Sequence, residues 1–409
     1  MKNALIFSPD FDGHRQVYVF VMEHVLNELG FNTYIAGNTK RLYANSFYID
    51  RLKKSQKNKI IDTSKYSDGG ISISSTQFIE LQNECDADLT IFAEADNHIH
   101  LLVSQIGNKQ NKFRGILIGI FLRPFHYYEK IGLLDKLRYL KHLPLRWRID
   151  EKLFHEYLLK QFSLLQVPLY IDENFVAHHK KCLWLPDVFQ EYADLIIHDE
   201  KSEQREWIAK LNEFKEKNTG RFIFLYFGTA QYRRGYDILL KMAEDNEGCF
   251  IHCGLKNNKE HFEYDVNAIR SSLNNRGCLF ETDQYIEDPF CVEHFFRSIS
   301  HLVLPYRNFF GSSGIMLQAL GFKIPILAPE SGIIGYRIKK YQLGITYNEK
   351  NPTSLYTQFE FFKNLDPKTF ENKITYYMNY QSTEQLKKVL ISSFTFTDKH
   401  LRQHYLTKP

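Results

Sequence analysis

The apolar residues of the chain recur in short uninterrupted runs, and longer stretches with helical spacing separate these runs. In the first half the runs cover residues 4–8, 33–36, 89–93, 115–122, 163–166 and 182–185. In the second half they cover residues 221–227, 249–253, 278–281, 301–305, 324–328 and 344–347. Apolar runs without alternation are typical of strands that are covered on both faces. Because these strands alternate with helices, we expect an α/β protein with two Rossmann-like, doubly wound parallel sheets.

A polar stretch near the middle of the chain separates the two sets of strands. The largely apolar residues 183–189 lead into the largely charged residues 199–207. We therefore predict an N-terminal domain of residues 1–195 and a C-terminal domain of residues 196–384. A last helix, at about residues 385–409, is expected to pack back on the N-terminal domain.

The composition is that of a globular protein and excludes several classes. The chain has 409 residues, of which 44% are hydrophobic and 24% are charged. It has no apolar run of about 18 residues and no signal-peptide pattern at its start. The formal charge of +4, without a zinc-finger or similar motif, argues against nucleic-acid binding. The six cysteines form no CxxC pair, so we expect buried thiols in a cytoplasmic protein.

One basic segment stands out from this balanced charge. Residues 136–148, from Lys136 to Arg148, read KLRYLKHLPLRWR and contain five Lys or Arg residues and no acidic residue. Such a mixture of basic and apolar side chains suits the anionic inner face of the cytoplasmic membrane, with the protein bound peripherally. The alternative is a solvated helix face that is broken at Pro144.

Small residues cluster at two places in the second half. Gly311, Ser312, Ser313 and Gly314 directly precede a helical pattern, and residues 331–335 follow the next apolar run. The first turn of a helix has amides without internal partners and a positive dipole end, so a Gly/Ser approach suits a phosphate. The alternative is an ordinary serine N-cap.

Two arginines follow the expected strand at residues 221–227. Gly228 and Thr229 open the loop, and Arg233 and Arg234 come shortly before a helical pattern. Ligands of open α/β sheets bind at the carboxyl ends of the strands. Two guanidinium groups at that edge suit a diphosphate, since each can form bidentate charged hydrogen bonds. The alternative is a pair of surface arginines beside a helix start.

These two loops together resemble a known family. The stretch FGTAQYRRGYDILLKMA, followed further along by LPYRNFFGSSGIMLQALGFKIPILAPESGIIG, is similar to the donor-binding half of the retaining GT-B glycosyltransferases of family 4, or group 1. The motifs cover residues 221–355, and the architecture covers the whole chain. The resemblance implies the GT-B fold, in which two Rossmann-like domains face a central cleft.

The resemblance assigns donor-binding roles to the first loop. The family lysine that holds the donor pyrophosphate corresponds to Arg234. The Gly-Arg turn of the family falls on Gly228 and Thr229, so its arginine is missing, and Arg233 is the residue that can compensate.

In the second loop the sequence departs from the family pattern. The family glutamate that binds the donor ribose corresponds to Gln318, whose amide can still hydrogen-bond a hydroxyl. The acid that usually contacts the donor sugar corresponds to Phe310. Ser312, Ser313 and Gly314 offer amides and hydroxyls instead.

The resemblance also implies a role for the amino-terminal half. Gly13, in the turn after the first strand, is expected to face the donor phosphates, and His14 and Arg15 are expected to bind the acceptor. His126, after the fourth strand, is the predicted catalytic histidine near the transferred sugar. Arg123 is placed to bind an acceptor phosphate.

These features predict a particular reaction. A sugar would move, with retention and without a metal or cofactor, from a nucleotide-diphosphate sugar to a hydroxyl acceptor. The acceptor would be a polyprenyl-linked or growing saccharide in polysaccharide biosynthesis, and His126, Arg233 and Arg234 would be catalytic. The alternatives are a GT-B sugar-nucleotide epimerase and a non-catalytic GT-B partner subunit. Phe310 and Gln318 motivate the second alternative.

Overall fold

The structure is a computed structural model. It describes residues 2–9, 14–40, 58–66, 73–103, 112–122, 167–179, 182–188, 202–257, 259–284, 286, 289–351 and 353–397. The chain divides into two compact units. The first contains Met1–Val188 and Gln381–Pro409, and the second contains Phe189–Tyr380.

The first unit is built on one parallel sheet. Its described strands are β1 (Asn3–Phe7), β2 (Asn32–Gly37), β3 (Asn58–Asp62), β4 (Leu89–Phe92), β5 (Ile116–Phe121), β6 (Val167–Tyr170) and β7 (Leu183–Trp184). They lie in the order β3-β2-β1-β4-β5-β6-β7, and each neighbouring pair is parallel. The order reverses beside β1, as in a doubly wound sheet.

The second unit contains six further described strands. These are β8 (Ile223–Phe227), β9 (Cys249–Cys253), β10 (Leu279–Glu281), β11 (Leu302–Val303), β12 (Ile326–Pro329) and β13 (Gly344–Tyr347). They form two parallel sheets, β10-β9-β8 and β11-β12-β13. β8 and β11 lie next to each other, and residues of both sheets share one hydrophobic core.

Helices connect the strands in both units. The described helices are α1 (His14–Glu28), α2 (Ser75–Glu84), α3 (Ile99–Val103), α4 (Glu173–His178), α5 (Ser202–Lys217), α6 (Tyr236–Asp245), α7 (Val266–Asn275), α8 (Pro289–Phe296), α9 (Gly314–Gly321), α10 (Gly332–Tyr341), α11 (Ser354–Phe362), α12 (Lys368–Tyr380) and α13 (Thr383–Thr397). A parallel sheet requires such crossover connections between its strands.

Both faces of the first sheet are covered, which explains the uninterrupted apolar runs of the sequence. Ala4 and Ile6 of β1 lie in a core that also contains residues of α1. Leu5 and Phe7 point to the other face and pack in a core with α2. Leu386 of α13 belongs to the first of these cores, so the last described helix is part of the first unit.

The structure adds a strand that the sequence did not predict, and two of the predicted segments lie outside the residues that it describes. β3 was not predicted, and its sequence, NKIID, has only two apolar residues. The strand expected at residues 163–166 and the basic segment at residues 136–148 lie outside the described residues. All six cysteines are buried and free. Among the residues that the structure describes, no helix combines the length and the apolar character needed to cross a membrane.

Candidate functional site

Three loops of the second unit meet at the carboxyl ends of its strands. Residues 228–235 follow β8, residues 304–313 follow β11, and residues 330–331 follow β12. Parallel strands place all of these loops at one edge of the sheets, where open α/β proteins bind their ligands.

Two glycines allow these loops to approach one another closely. Gly235 has a φ of 68°, and a Cβ added there would lie 2.1 Å from the carbonyl oxygen of Pro305. Gly332 also has a φ of 68°, and a Cβ there would lie 3.1 Å from the carbonyl oxygen of Phe309. A side chain at either position would be strained in this backbone conformation and would push the loops apart.

The loop after β8 carries two guanidinium groups. A Cβ on Gly228 would lie 2.8 Å from Nη1 of Arg234, so this guanidinium lies directly over the turn. Arg233 is exposed, and its guanidinium carbon lies 5.7 Å from the ring centroid of Phe309. Burial raises the pKa of the Tyr226 hydroxyl, and the positive charges of Arg234 and Arg233 act in the opposite direction. Both charges therefore lie close to the end of β8.

Arg307, which was not predicted as a site residue, forms hydrogen bonds with the backbone of this loop. Its backbone amide donates to the carbonyl of Arg233 at 2.9 Å, and its Nη1 donates to the carbonyl of Tyr232 at 2.7 Å. The guanidinium also lies 4.0 Å from the Tyr232 ring centroid. Two of its nitrogens reach the fully buried carboxylate of Asp237, at 2.7 and 3.0 Å. The backbone that presents both arginines is thus fixed to α6 through one buried ion pair.

The helix that follows the second loop begins with a serine cap. Ser313 is the N-cap of α9, and its Oγ accepts from the amide of Met316 at 3.2 Å. The same Oγ lies 3.0 Å from the hydroxyl of Tyr306. The Ser313 hydroxyl therefore serves the helix, as the alternative interpretation of this cluster expected. The amides of Gly314 and Ile315, at the first two helical positions, have no acceptor within the helix.

The two loops belong to one site. The charge of Arg234 and the hydroxyl of Tyr306 both affect the pKa of Tyr226, so they lie near the same point. Because Tyr306 bonds Ser313, the amino end of α9 is joined to this point as well. Gln318, one helical turn further on, is partly buried.

A buried arginine contacts the loop of residues 304–313, which follows β11. Arg337 of α10 is fully buried, and its Nη1 donates to Oγ of Ser312 at 2.9 Å. The sequence contained a signal for it that the prediction missed. Arg337 follows Ile333 and Ile334 by four and three residues, which puts it on the apolar face of the helix. Phe310, which stands where the family has an acid, is also buried.

The site residues predicted in the amino-terminal half fall outside what the structure describes. Gly13, Arg123 and His126 lie outside the described residues, as do the side chains of His14 and Arg15 in the first turn of α1. Within the described part of the chain, no group of three or more His, Cys, Asp or Glu residues could hold a metal ion.

Comparison with known proteins gives matches in structure only. No protein-family model matches the sequence, and no curated protein matches it in sequence. Sucrose-phosphate synthase from Thermosynechococcus elongatus is similar over 100% of both chains, with 11% identity and a TM-score of 0.64. Anabaena HepE, in complex with UDP and glucose, matches 97% of this chain and 100% of its own, with 9% identity and a TM-score of 0.65.

A third similar structure is that of a biosynthetic enzyme. WaaG, a glycosyltransferase involved in lipopolysaccharide biosynthesis, matches 96% of this chain and 99% of its own. Its identity is 12% and its TM-score is 0.57. At such low identities the likeness shows the fold and leaves the activity open. The chain has the GT-B fold, as the sequence predicted.

Proposed function

We propose that the protein is a glycosyltransferase that uses a nucleotide-diphosphate sugar as its donor. The observation that carries this proposal is the meeting of Arg233, Arg234 and the amino end of α9 at the carboxyl edge of the second unit's sheets. Two proteins of similar structure support it, since HepE forms a complex with UDP-glucose and WaaG is a glycosyltransferase.

The geometry suits the departure of a diphosphate. As the bond to the sugar breaks, negative charge grows on the leaving phosphate while the sugar becomes positively charged. Arg234, Arg233 and the amides of Gly314 and Ile315 would stabilise that negative charge. Because guanidinium groups supply the positive charge, we propose a metal-independent reaction, with retention as in the family that the sequence resembles. Gln318 would hydrogen-bond the donor ribose.

The remaining roles are proposed from the sequence and from its resemblance to the family. Gly13, Gly228, Thr229, Ser312 and Ser313 would line the donor.

His14, Arg15 and Arg123 would bind the acceptor. His126 would contact the transferred sugar and act as the catalytic histidine.

A nucleotide titration tests the donor site. UDP or GDP, at about 100 times its dissociation constant, should raise the free energy of unfolding by roughly 2.7 kcal/mol. The rise should be visible as a higher melting temperature, and EDTA should leave it unchanged because the charge partners are arginines. A shift that strictly required Mg²⁺ would contradict the metal-independent proposal.

A panel of nucleotide sugars, followed by product analysis, separates the alternatives. A transferase releases the nucleoside diphosphate and glycosylates an added acceptor, whereas an epimerase converts the sugar with no acceptor present. A non-catalytic partner subunit, which the buried Phe310 favours, would do neither. Lack of both nucleotide binding and turnover would therefore reject the transferase.

We further propose a lipid-linked saccharide acceptor at an anionic membrane surface, with residues 136–148 as the contact. Full-length protein should bind vesicles that contain anionic lipid, with about 1 kcal/mol for each basic residue near the surface. High salt should release it. Replacing both Arg146 and Arg148 by Gln should weaken binding markedly. Equal binding to neutral vesicles, or none to either kind, would show that the segment is an ordinary surface.

A further inference from the structure

His252 is a buried polar residue close to the loop that carries the two arginines. It lies on β9, the middle strand of the sheet β10-β9-β8, and its side chain is fully buried. The rings of Tyr226 and Tyr236 pack against it, with centroids 5.5 and 5.0 Å from its own. These two aromatic neighbours restrict the orientation of the imidazole.

One nitrogen of this imidazole binds the turn after β8. Nε2 of His252 lies 3.1 Å from the carbonyl oxygen of Gly228. A carbonyl oxygen can only accept a hydrogen bond, so Nε2 carries a proton and donates it. The Gly228 amide in turn donates to the carbonyl oxygen of Cys253 at 2.8 Å. Both backbone polar groups of Gly228 are therefore held by residues of β9.

The other ring nitrogen indicates that the imidazole is more than a packing element. In the part of the chain that the structure describes, Nδ1 of His252 has no hydrogen-bond partner, and it lies 3.8 Å from the carboxylate of Glu281. That carboxylate accepts two hydrogen bonds from Arg270, at 2.9 and 2.6 Å. An unsatisfied buried nitrogen costs free energy that a phenylalanine at this place would not. What histidine offers and phenylalanine lacks is the donor at Nε2.

The hydrogen bond from His252 also sets the direction of the next backbone amide. The carbonyl of Gly228 and the amide of Thr229 belong to one planar trans peptide, in which they point in opposite directions. Because the carbonyl points to the buried imidazole, the Thr229 N–H points to the partly exposed side of the turn. Gly228 has a φ of 109° and no Cβ, so its backbone alone would let this peptide rotate. The hydrogen bond from His252 therefore decides which way the peptide faces.

The Thr229 amide is a donor that the turn itself does not use. The amides on either side of the Gly228–Thr229 peptide's N–H, those of Gly228 and Ala230, both donate to carbonyl oxygens, at 2.8 and 3.0 Å. Among the residues that the structure describes, the Thr229 amide has no such acceptor. The guanidinium of Arg234 lies over the same turn. A backbone N–H beside a guanidinium suits an anionic oxygen.

We propose that His252 is a positioning residue for the donor diphosphate, because its hydrogen bond to Gly228 aims the Thr229 amide at a phosphate oxygen. This inference rests on the proposed function. His252 acts through the peptide between Gly228 and Thr229 and does not touch the nucleotide.

Calorimetry on two variants of His252 tests this inference, with UDP or GDP as the probe, whichever stabilises the wild type. His252→Phe keeps an aromatic ring and removes the donor. It should weaken nucleotide binding about tenfold, the effect of one hydrogen bond to a charged group. His252→Gln places an amide nitrogen near the position of Nε2 and should keep the affinity within about threefold of the wild type.

His301→Phe is the matched control. His301 is also buried, and its Nε2 lies 3.1 Å from the carbonyl oxygen of Leu365, but it precedes β11 and so lies at the amino edge of its sheet. Its replacement removes a comparable hydrogen bond and should leave nucleotide affinity unchanged within about twofold. If His252→Phe binds as tightly as His301→Phe, or if His252→Gln binds as weakly as His252→Phe, the inference is wrong.

A second measurement observes the amide directly and does not require that His252→Phe folds. In protein labelled with ¹⁵N-threonine, the Thr229 amide resonance, assigned with Thr229→Ser, should shift when the nucleotide binds to the wild type or to His252→Gln. A Thr229 resonance that stays in place in the nucleotide-bound wild type would overturn the inference and leave the donor site intact. If the wild type binds neither UDP nor GDP, the proposed function itself fails.

Discussion

Arg234→Ala should lower the rate of sugar transfer by about two to three orders of magnitude, the usual cost of removing one group that stabilises transition-state charge. The guanidinium lies over the Gly228 turn at the end of β8, where a leaving diphosphate would develop its charge. The side chain is only partly buried, so the fold should tolerate its loss. The measurement is kcat/KM for the donor, with the melting temperature recorded beside it.

Arg276→Ala is the matched control for this experiment. Arg276 is an exposed arginine that ends α7 just before β10 begins, and it therefore lies at the opposite, amino edge of the same sheet. Its loss should leave transfer unchanged within about twofold, since surface substitutions have small effects. If Arg234→Ala retains activity within a few-fold of the control, Arg234 does not hold the leaving group.

The strands were predictable where the sheet is covered on both faces. The apolar runs at residues 249–253 and 344–347 coincide with β9 and β13. β3 escaped prediction because it has little apolar sequence of its own. It forms at the edge of the first sheet by pairing with β2, where Ile60 lies opposite Ile35. Pairing with a distant strand is a tertiary effect that a local pattern does not contain.

Only those features of the site that lie within a single loop could be predicted from the sequence. The position of Arg234 after a strand and beside a glycine turn was visible in the sequence. The contact between Arg307 and Asp237 was not, because it joins residues 70 positions apart. Arg337 was overlooked for a different reason. A charged residue in a helix is usually exposed, and only its spacing from neighbouring isoleucines indicated the buried face.

Asp237→Asn should destabilise the second unit by about 3 kcal/mol or more, because breaking a buried ion pair leaves an uncompensated charge. Asp237 is fully buried and accepts two hydrogen bonds from Arg307, and it also accepts the amide of Glu263 at 3.0 Å. The measurement is urea unfolding followed by circular dichroism, in which the transition of the second unit should move. Nucleotide binding should weaken too, since Arg307 holds the backbone of Tyr232 and Arg233.

Glu263→Gln is the control for this experiment, because it removes the surface ion pair of Arg307 and leaves the buried pair with Asp237 in place. The Glu263 carboxylate lies 3.1 Å from Arg307, but 59% of its side chain is exposed. Exposed pairs contribute about 0–1 kcal/mol, so this variant should unfold almost as the wild type does. The same variant keeps the backbone amide that bonds Asp237. If Asp237→Asn and Glu263→Gln were equally stable, the buried pair of Asp237 and Arg307 would not be what holds the loop of residues 228–235 in place. The close backbone approach at Gly235 would then have to hold this loop.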